Sequence, residues 1–331
     1  MRVYYLALGL VTLIALASPA IAQPPSFAPW TVPEVSALPR DNRGQLIRDG
    51  RDVMLATYAH IGPNVADAAK RYAGNNLACT NCHLDGGTKK FSLPLFGIYD
   101  DFPAYSARTG GPISIEDRIN GCMTRSMNGR ALTNDAPEMR AMVAYVEFLS
   151  TGVPKGERLP GLGAGRMKEL SRPADPVRGR AVYARLCAAC HKPDGLGVLR
   201  DRGAPELGYM LPPLWGPDSF NTGAGMNRLV MATRFVKANM PLGASHEATQ
   251  LSDDEAYDVS AYMVSQPRPA KARLEADFPA RWIKPVDAAF PPDLLGSADQ
   301  HKYGPFAPLA ARQKQLAEQL KAQAAARTAA R

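Results

Sequence analysis

The chain has 331 residues, a formal charge of +8 and an apolar fraction of 46%. That apolar content excludes a disordered chain, and the length gives room for two domains of ordinary size. The modest positive charge, with no recognition motif beside it, excludes general nucleic-acid binding and suits a small anionic substrate or an acidic redox partner.

Met1 and Arg2 precede an apolar run from Tyr4 to Ala17, and Ala20-Ile21-Ala22 has the small-x-small pattern of a secretory cleavage site. The run is too short for a membrane anchor. Residues 1–22 therefore read as a signal peptide cleaved near Ala22, which predicts a soluble, periplasmic protein with no stable membrane anchor. Residues 23–42 are proline-rich and read as an extended arm. A first domain is expected over 43–150. It opens with a helix from Leu46 to Tyr58 and a second helical stretch from Val65 to Tyr72. It closes with a helix after Asp135-Ala136-Pro137, capped by Asp135 or Asn134, whose Met139, Met142, Val143 and Val146 form an apolar stripe. Residues 151–173 carry glycines and prolines in the pattern of a surface linker. A second domain over 174–267 repeats the layout: a helix from Pro176 to Leu186, and a closing helix after Leu251-Ser252-Asp253-Asp254-Glu255 that runs to Ser265. Neither half shows useful strand alternation, so the fold class is all-α. Residues 268–331 read as an irregular segment, packed across the domains through Trp282 and Phe290, followed by a solvated basic helix or frayed tail from Ala310.

Each domain contains Cys-x-x-Cys-His: Cys79-Thr80-Asn81-Cys82-His83 and Cys187-Ala188-Ala189-Cys190-His191. Two thiols on one turn can each form a thioether to a porphyrin vinyl group, while the adjacent imidazole reaches the iron. A single C-x-x-C could equally serve zinc or disulfide exchange. Two copies, both ending in histidine, in a chain with only five cysteines and five histidines, point to two covalently bound haem c groups with His83 and His191 as axial ligands. Four cysteines are thereby consumed, no disulfide remains within the chain, and Cys122 is left over. Two tandem cytochrome c domains follow.

The second axial ligands decide what the haems do. In the second domain Met240 lies between Asn239 and Pro241 in the loop before the closing helix, and the proline restricts the backbone around it. Met210 is the next choice, with Met226, Met231 and Met263 further competitors. In the first domain the corresponding loop, Arg118 to Gly129, holds Cys122 at a similar remove from its motif. Lone cysteines are usually buried apolar filler. Here Arg118 and Arg125 lie within one helical turn, and positive charge favours a thiolate, which binds ferric iron strongly. Met123 and Met127 remain alternatives.

These motifs resemble the dihaem thiosulfate dehydrogenases, which couple two thiosulfate ions into tetrathionate. The resemblance runs from about Leu46 to Met263 and is carried by Gly74 to Gly87, Arg118 to Gly129, Pro212 to Pro217 and Asn239-Met240-Pro241. It implies Cys122 as distal ligand of the active-site haem, Met240 on the second haem, and Arg108, Arg118 and Ser126 as substrate-holding residues. Some members place a lysine before the methionine as an alternative ligand; here that position is Asn239. If the stretch is helical, Arg118, Cys122 and Ser126 share one face at four-residue spacing. Thiosulfate is a small dianion, and arginine forks supply both charge and orientation. The expected electron route runs from the first haem to the second and on to an external acceptor such as a small cytochrome c or a high-potential iron-sulfur protein. The competing reading is a non-catalytic dihaem subunit that carries electrons for another oxidoreductase.

Overall fold

The structure, a computed structural model, describes residues 30–293 and 295–329. The expected signal peptide and the start of the arm lie outside the described residues. From Trp30 the arm follows the surface through a single 3-10 turn, Val35–Ala37. Trp30 stacks on Phe96 at 4.9 Å and donates to Pro160 O.

The first domain begins with α1 (Asn42–Leu55), capped by Asp41, whose side chain accepts from Gly44 N at 2.7 Å. The chain breaks at Ala56 and restarts as α2 (Thr57–Ile61), so the helix expected over Leu46–Tyr58 starts earlier and is interrupted. Only the turn Ala68–Lys70 forms where a helix over Val65–Tyr72 was expected. Asp67 bonds Ala69 N there, and Tyr72 and Ala73 donate to Ile61 O instead of continuing a helix. After the first haem motif come a distorted turn, α3 (Leu84–Gly87), and a short hairpin, β1 (Ala104–Ser106) with β2 (Gly111–Ile113), then α4 (Ile115–Met123) and α5 (Pro137–Leu149). The cap of α5 is Ala136, with no side-chain bond from Asp135 or Asn134; Pro137 in the first turn sets the start. Met139, Met142 and Val146 are fully buried, as the stripe predicts.

The linker has no regular element, but it is not loose. Gly161 O and Gly163 O accept from Phe91 N and Leu93 N, pinning it beside the first haem motif.

The second domain repeats the plan with α6 (Pro176–Leu186), capped by Asp175, then α7 (Ala188–His191), the hairpin β3 (Val198–Leu199) with β4 (Tyr209–Leu211), α8 (Leu229–Asn239) and α9 (Asp253–Ser265). Ser252 and Glu255 form the expected capping box on α9. The two hairpins are the strands that the sequence did not announce, since runs of two or three residues carry no periodic signal.

In both domains the first and last helices cross at a glycine. A Cβ at Gly50 would lie 1.9 Å from Ala141 O, and one at Gly179 would lie 1.9 Å from Asp258 O. The backbones approach to a distance that no side chain permits, and in the first domain that crossing sets Met54, Met142 and Val146 beside the first motif.

The segment after 267 is more ordered than expected, with α10 (Ala298–Tyr303) and α11 (Ala307–Ala329). Trp282 and Phe290 do not bind it down; they are 37% and 56% exposed. Phe278, Ala288, Phe306 and Leu309 are buried instead; Phe306 and Leu309 join the second core, Leu316 packs against it, and Arg312 and Gln313 donate to Leu295 O and Lys284 O, so α11 is anchored along its first half and solvated beyond. Among the described residues no helix is long and apolar enough to cross a membrane.

Candidate active site

The first motif is presented by a single turn, Cys79–Asn81. Asn81 Oδ1 accepts from Ala78 N at 2.7 Å, and Thr57 Oγ1 accepts from Cys79 N at 3.1 Å. His83 Nδ1 faces the carbonyl of Leu93. A carbonyl can only accept, so Nδ1 carries the proton and Nε2 keeps its lone pair for a metal. His191 repeats this against Pro212 O at 2.9 Å, and burial holds its imidazole below the ordinary range despite that carbonyl. The same tautomer, with Nε2 turned away from the carbonyl, is thus set in both motifs.

Cys79, Cys82 and His83 line a cavity of about 200 Å³, walled for the most part by apolar side chains such as Met54, Leu77, Ile119 and Val146. A largely apolar slot with two thiols and an imidazole on one wall fits a porphyrin attached as haem c. The two sulfurs are thioethers in the attached form; as thiols, burial would push Cys79 to about 11 and Cys82 to about 12.

The facing wall is α4. Ser114 and Asp117 form a capping box that starts it. Ile115, Ile119 and Met123 are buried at four-residue spacing and turn one face to the core. The adjacent face carries Arg118 and Cys122, whose side chains meet: Arg118 Nη1 lies 3.3 Å from Cys122 Sγ. Burial would push the Cys122 thiol up, but the positive charge facing it, that of Arg118 foremost and then Arg125, outweighs this and brings the pKa down to about 6. Cys122 therefore sits on the last turn of a helix, not in a loop. Ser126 lies past the helix end in a turn clamped from three sides: Asn75 Nδ2 donates to Ser126 O, Gly74 N to Met127 O, and Asn221 of the second domain to Thr124 O and Arg125 O. Met123 and Met127 also reach the cavity wall, but as members of the buried core.

Beyond Cys122 opens a basin of about 830 Å³, which shares Cys122, Arg118 and Ser126 with the apolar cavity. Four arginines line it: Arg108 on the β1–β2 turn, Arg118, Arg125, and Arg228 from the start of α8. Asp117 is the one acid among its lining residues, and the α4 capping box engages it. Asp277, from the segment after the second domain, lies behind the basin and holds two of the arginines at once: Arg108 Nη1 at 2.5 Å and Arg125 Nη2 at 2.7 Å. Burial and the neighbouring charge of Arg125 lower the Arg108 pKa, with Asp277 opposing. The structure thus brings together Arg108, Arg118, Cys122 and Ser126, the four residues singled out from the sequence. Asp277, Arg228 and the linker carbonyls were missed. No motif or spacing marks them, because each is selected by contacts between residues far apart in the chain.

In the second domain Met240 follows α8 directly and is partly buried. Its competitors are placed elsewhere: Met210 is 60% exposed, Met263 is in the core of α9, and Met226 and Met231 face the first domain's basin. Asn239 is buried and donates to Phe91 O at 2.9 Å, tying the Met240 loop to the loop that holds His83.

Residues 69–154 match the family described as SoxA/TsdA, cytochrome c domain, and residues 176–267 match the cytochrome c family. The chain is 43% identical over 261 residues to a thiosulfate dehydrogenase of Allochromatium vinosum, covering 78% of this chain and 91% of the relative. It is 40% identical over 242 residues to one of Stutzerimonas stutzeri, covering 73% and 74%. A solved thiosulfate dehydrogenase (TsdBA) from Marichromatium purpuratum is similar with a TM-score of 0.66 and 33% identity; the match covers 74% of this chain and 50% of that one, so this chain spans half that protein's length. With two cytochrome c domains in tandem, and more than two thirds of its length shared with such relatives, the chain belongs to the thiosulfate dehydrogenase family.

Proposed function

We propose that the protein couples two thiosulfate ions into tetrathionate beside Cys122, as an exported periplasmic enzyme with two covalently attached haem c groups. Cys79, Cys82 and His83 would hold the first group and Cys187, Cys190 and His191 the second, with Cys122 and Met240 as the further sulfur donors. The observation that carries this reading is the Arg118–Cys122 contact on the wall common to an apolar cavity and an arginine-lined basin. An electron carrier has no use for a four-arginine basin against its distal ligand.

In the reaction the terminal sulfurs of two thiosulfates join, one S–S bond forms, two electrons leave and no proton moves. When bound, the haems supply the one-electron acceptors, the first facing substrate and the second passing electrons to an external acceptor such as a small cytochrome c or a high-potential iron-sulfur protein. The chain's own task is electrostatic. Two dianions held about 5 Å apart at an effective dielectric constant near 20 repel by roughly 13 kcal/mol. Arg108 and Arg118 offset that charge with directed donors, and Ser126 adds a hydroxyl from the turn beyond Cys122. Supplied with electrons, the same site would run in reverse and reduce tetrathionate to two thiosulfates.

The test is to mix the purified dihaem protein with thiosulfate and an artificial one-electron acceptor. One tetrathionate should form for every two acceptor molecules reduced. A protein whose haems reduce and reoxidise normally, yet which forms no tetrathionate at any thiosulfate concentration, is the non-catalytic electron carrier instead.

A further inference from the structure

We infer that the second domain supplies half of the anion site, with Arg228 binding the second thiosulfate opposite Cys122 and Asp287 positioning Arg228 for it. The inference rests on the thiosulfate reading and adds to it the place of the second substrate.

The basin's far wall is the stretch from Gly225 to Met231, at the start of α8. Arg228 is the one charged residue there. Its Nη1 contacts Asp287 Oδ1 at 3.3 Å, and Asp287 Oδ2 accepts from Val230 N at 3.0 Å. Asp287 is buried, does not line the basin, and is locked by that backbone bond, so it can orient the guanidinium without competing for an anion. Arg228 Nη2 has no partner among the described residues.

The arrangement repeats on the other side. Asp277 braces Arg108 from behind as Asp287 braces Arg228, and the two arginine side chains are equally accessible at 22%. A buried carboxylate that takes Nη1 of each guanidinium leaves Nη2 as the donor for an oxyanion. The chemistry of the wall also suits one end of thiosulfate against the other. Arg228 offers donors to sulfonate oxygens, while Met226, which lines both the basin and the apolar cavity, gives a soft, apolar neighbour to the terminal sulfur. Arg118 and Ser126 lie on the Cys122 side and Arg228 on the facing wall, so two thiosulfates can be held with their terminal sulfurs toward each other.

The test titrates tetrathionate, which cannot be oxidised by this reaction, into the ferric dihaem protein by calorimetry, and measures thiosulfate turnover alongside. Arg228→Gln is expected to weaken tetrathionate binding about tenfold and raise the KM for thiosulfate similarly, with both haem spectra unchanged. Asp287→Asn should produce a smaller loss in the same direction. If wild type binds tetrathionate and turns over thiosulfate but Arg228→Gln matches it in both, Arg228 is structural and this inference fails alone. If wild type does neither, the thiosulfate reading itself fails. Should Arg228→Gln not retain both haems, Arg228→Lys decides: it keeps the charge and the Asp287 pair but lacks the fork, and is expected to bind tetrathionate three- to tenfold more weakly. Wild-type affinity in that variant overturns the assignment equally.

Discussion

The two cytochrome domains share a scaffold and differ at one wall. Each crosses its first and last helices at a glycine, carries Cys-x-x-Cys-His between them, and fixes its histidine by a carbonyl from a following loop. In the second domain the residue proposed for the distal side is Met240, at the end of α8. In the first that side is the flank of α4, where a cysteine lies against a guanidinium and a basin opens beside it. The common parts hold a cofactor; the differing wall is where a substrate can act. The second domain even contributes to the first one's site, through Met226, Arg228 and the Asn221 clamp.

Replacing Cys122 tests that difference most severely. Cys122→Gly should keep both haems, whose attachment runs through other residues, and lose the low-spin thiolate signature in paramagnetic resonance. Thiosulfate oxidation should fall by more than about a hundredfold, the scale of removing a group engaged in the transition state. Cys122→Met makes the first site resemble the second: low-spin ligation should return at a higher potential, without the wild-type rate. Full activity in Cys122→Gly would remove the distinction on which the catalytic assignment stands.

The converse change is Met240→Gly. It should abolish the sulfur-to-iron charge-transfer band of the second haem and lower its potential, while the thiolate signal of the first is untouched. Loss of the band in Met263→Leu but not in Met240→Gly would mean that the ligand was misassigned.

Much of this comparison was legible in the sequence, and what was not has a common cause. The haem motifs, the α9 capping box and the Met139–Val146 stripe are local patterns, and local patterns survive into the fold. So did the four-residue spacing of Arg118 and Cys122, once α4 extended through the stretch read as a loop. What failed was the expected helix over Val65–Tyr72, where Asp67 and the Ile61 carbonyl offered the backbone other partners. Trp282 and Phe290 were chosen as anchors on size alone, and the structure buries Phe278 and Phe306 instead. Asp277 and Asp287 look in the sequence like any surface acids; only the placement of the segment after 267 against the basin turns them into braces.

The shared scaffold makes its own prediction. Alanine at Gly50 or Gly179 gains about 1 kcal/mol of helix propensity. Its Cβ would fall 1.9 Å from a carbonyl oxygen of the facing helix, and that backbone cannot yield without separating the helices. Each substitution should therefore destabilise by at least about 2 kcal/mol, the ordinary range for overpacking. Gly50→Ala should disturb the spectrum of the first haem and Gly179→Ala that of the second, read in separate denaturant titrations. A tolerated alanine in one domain only would show that the two crossings are not equivalent.

The smallest effect expected lies in how the two motifs are held at their first cysteine. Cys187 N donates to Tyr183 O at 2.9 Å, a bond supplied by the end of α6 itself. In the first domain no helix runs into the motif, and Cys79 N bonds the hydroxyl of Thr57, which in turn donates to Val53 O at 2.8 Å. Thr57 is fully buried, so the hydroxyl substitutes for a backbone carbonyl that the irregular chain from Gly62 to Ala78 does not provide. Thr57→Val keeps the side-chain volume while removing the acceptor, leaving Cys79 N buried without its partner. The cost should be about 1 to 2 kcal/mol, the net value of a hydrogen bond plus a desolvated donor. Hydrogen exchange should report it as faster exchange at the Cys79 amide, with the Cys187 amide unchanged. Unaltered protection at Cys79 would mean that the hydroxyl is dispensable and that the first motif is held by the covalent cofactor alone.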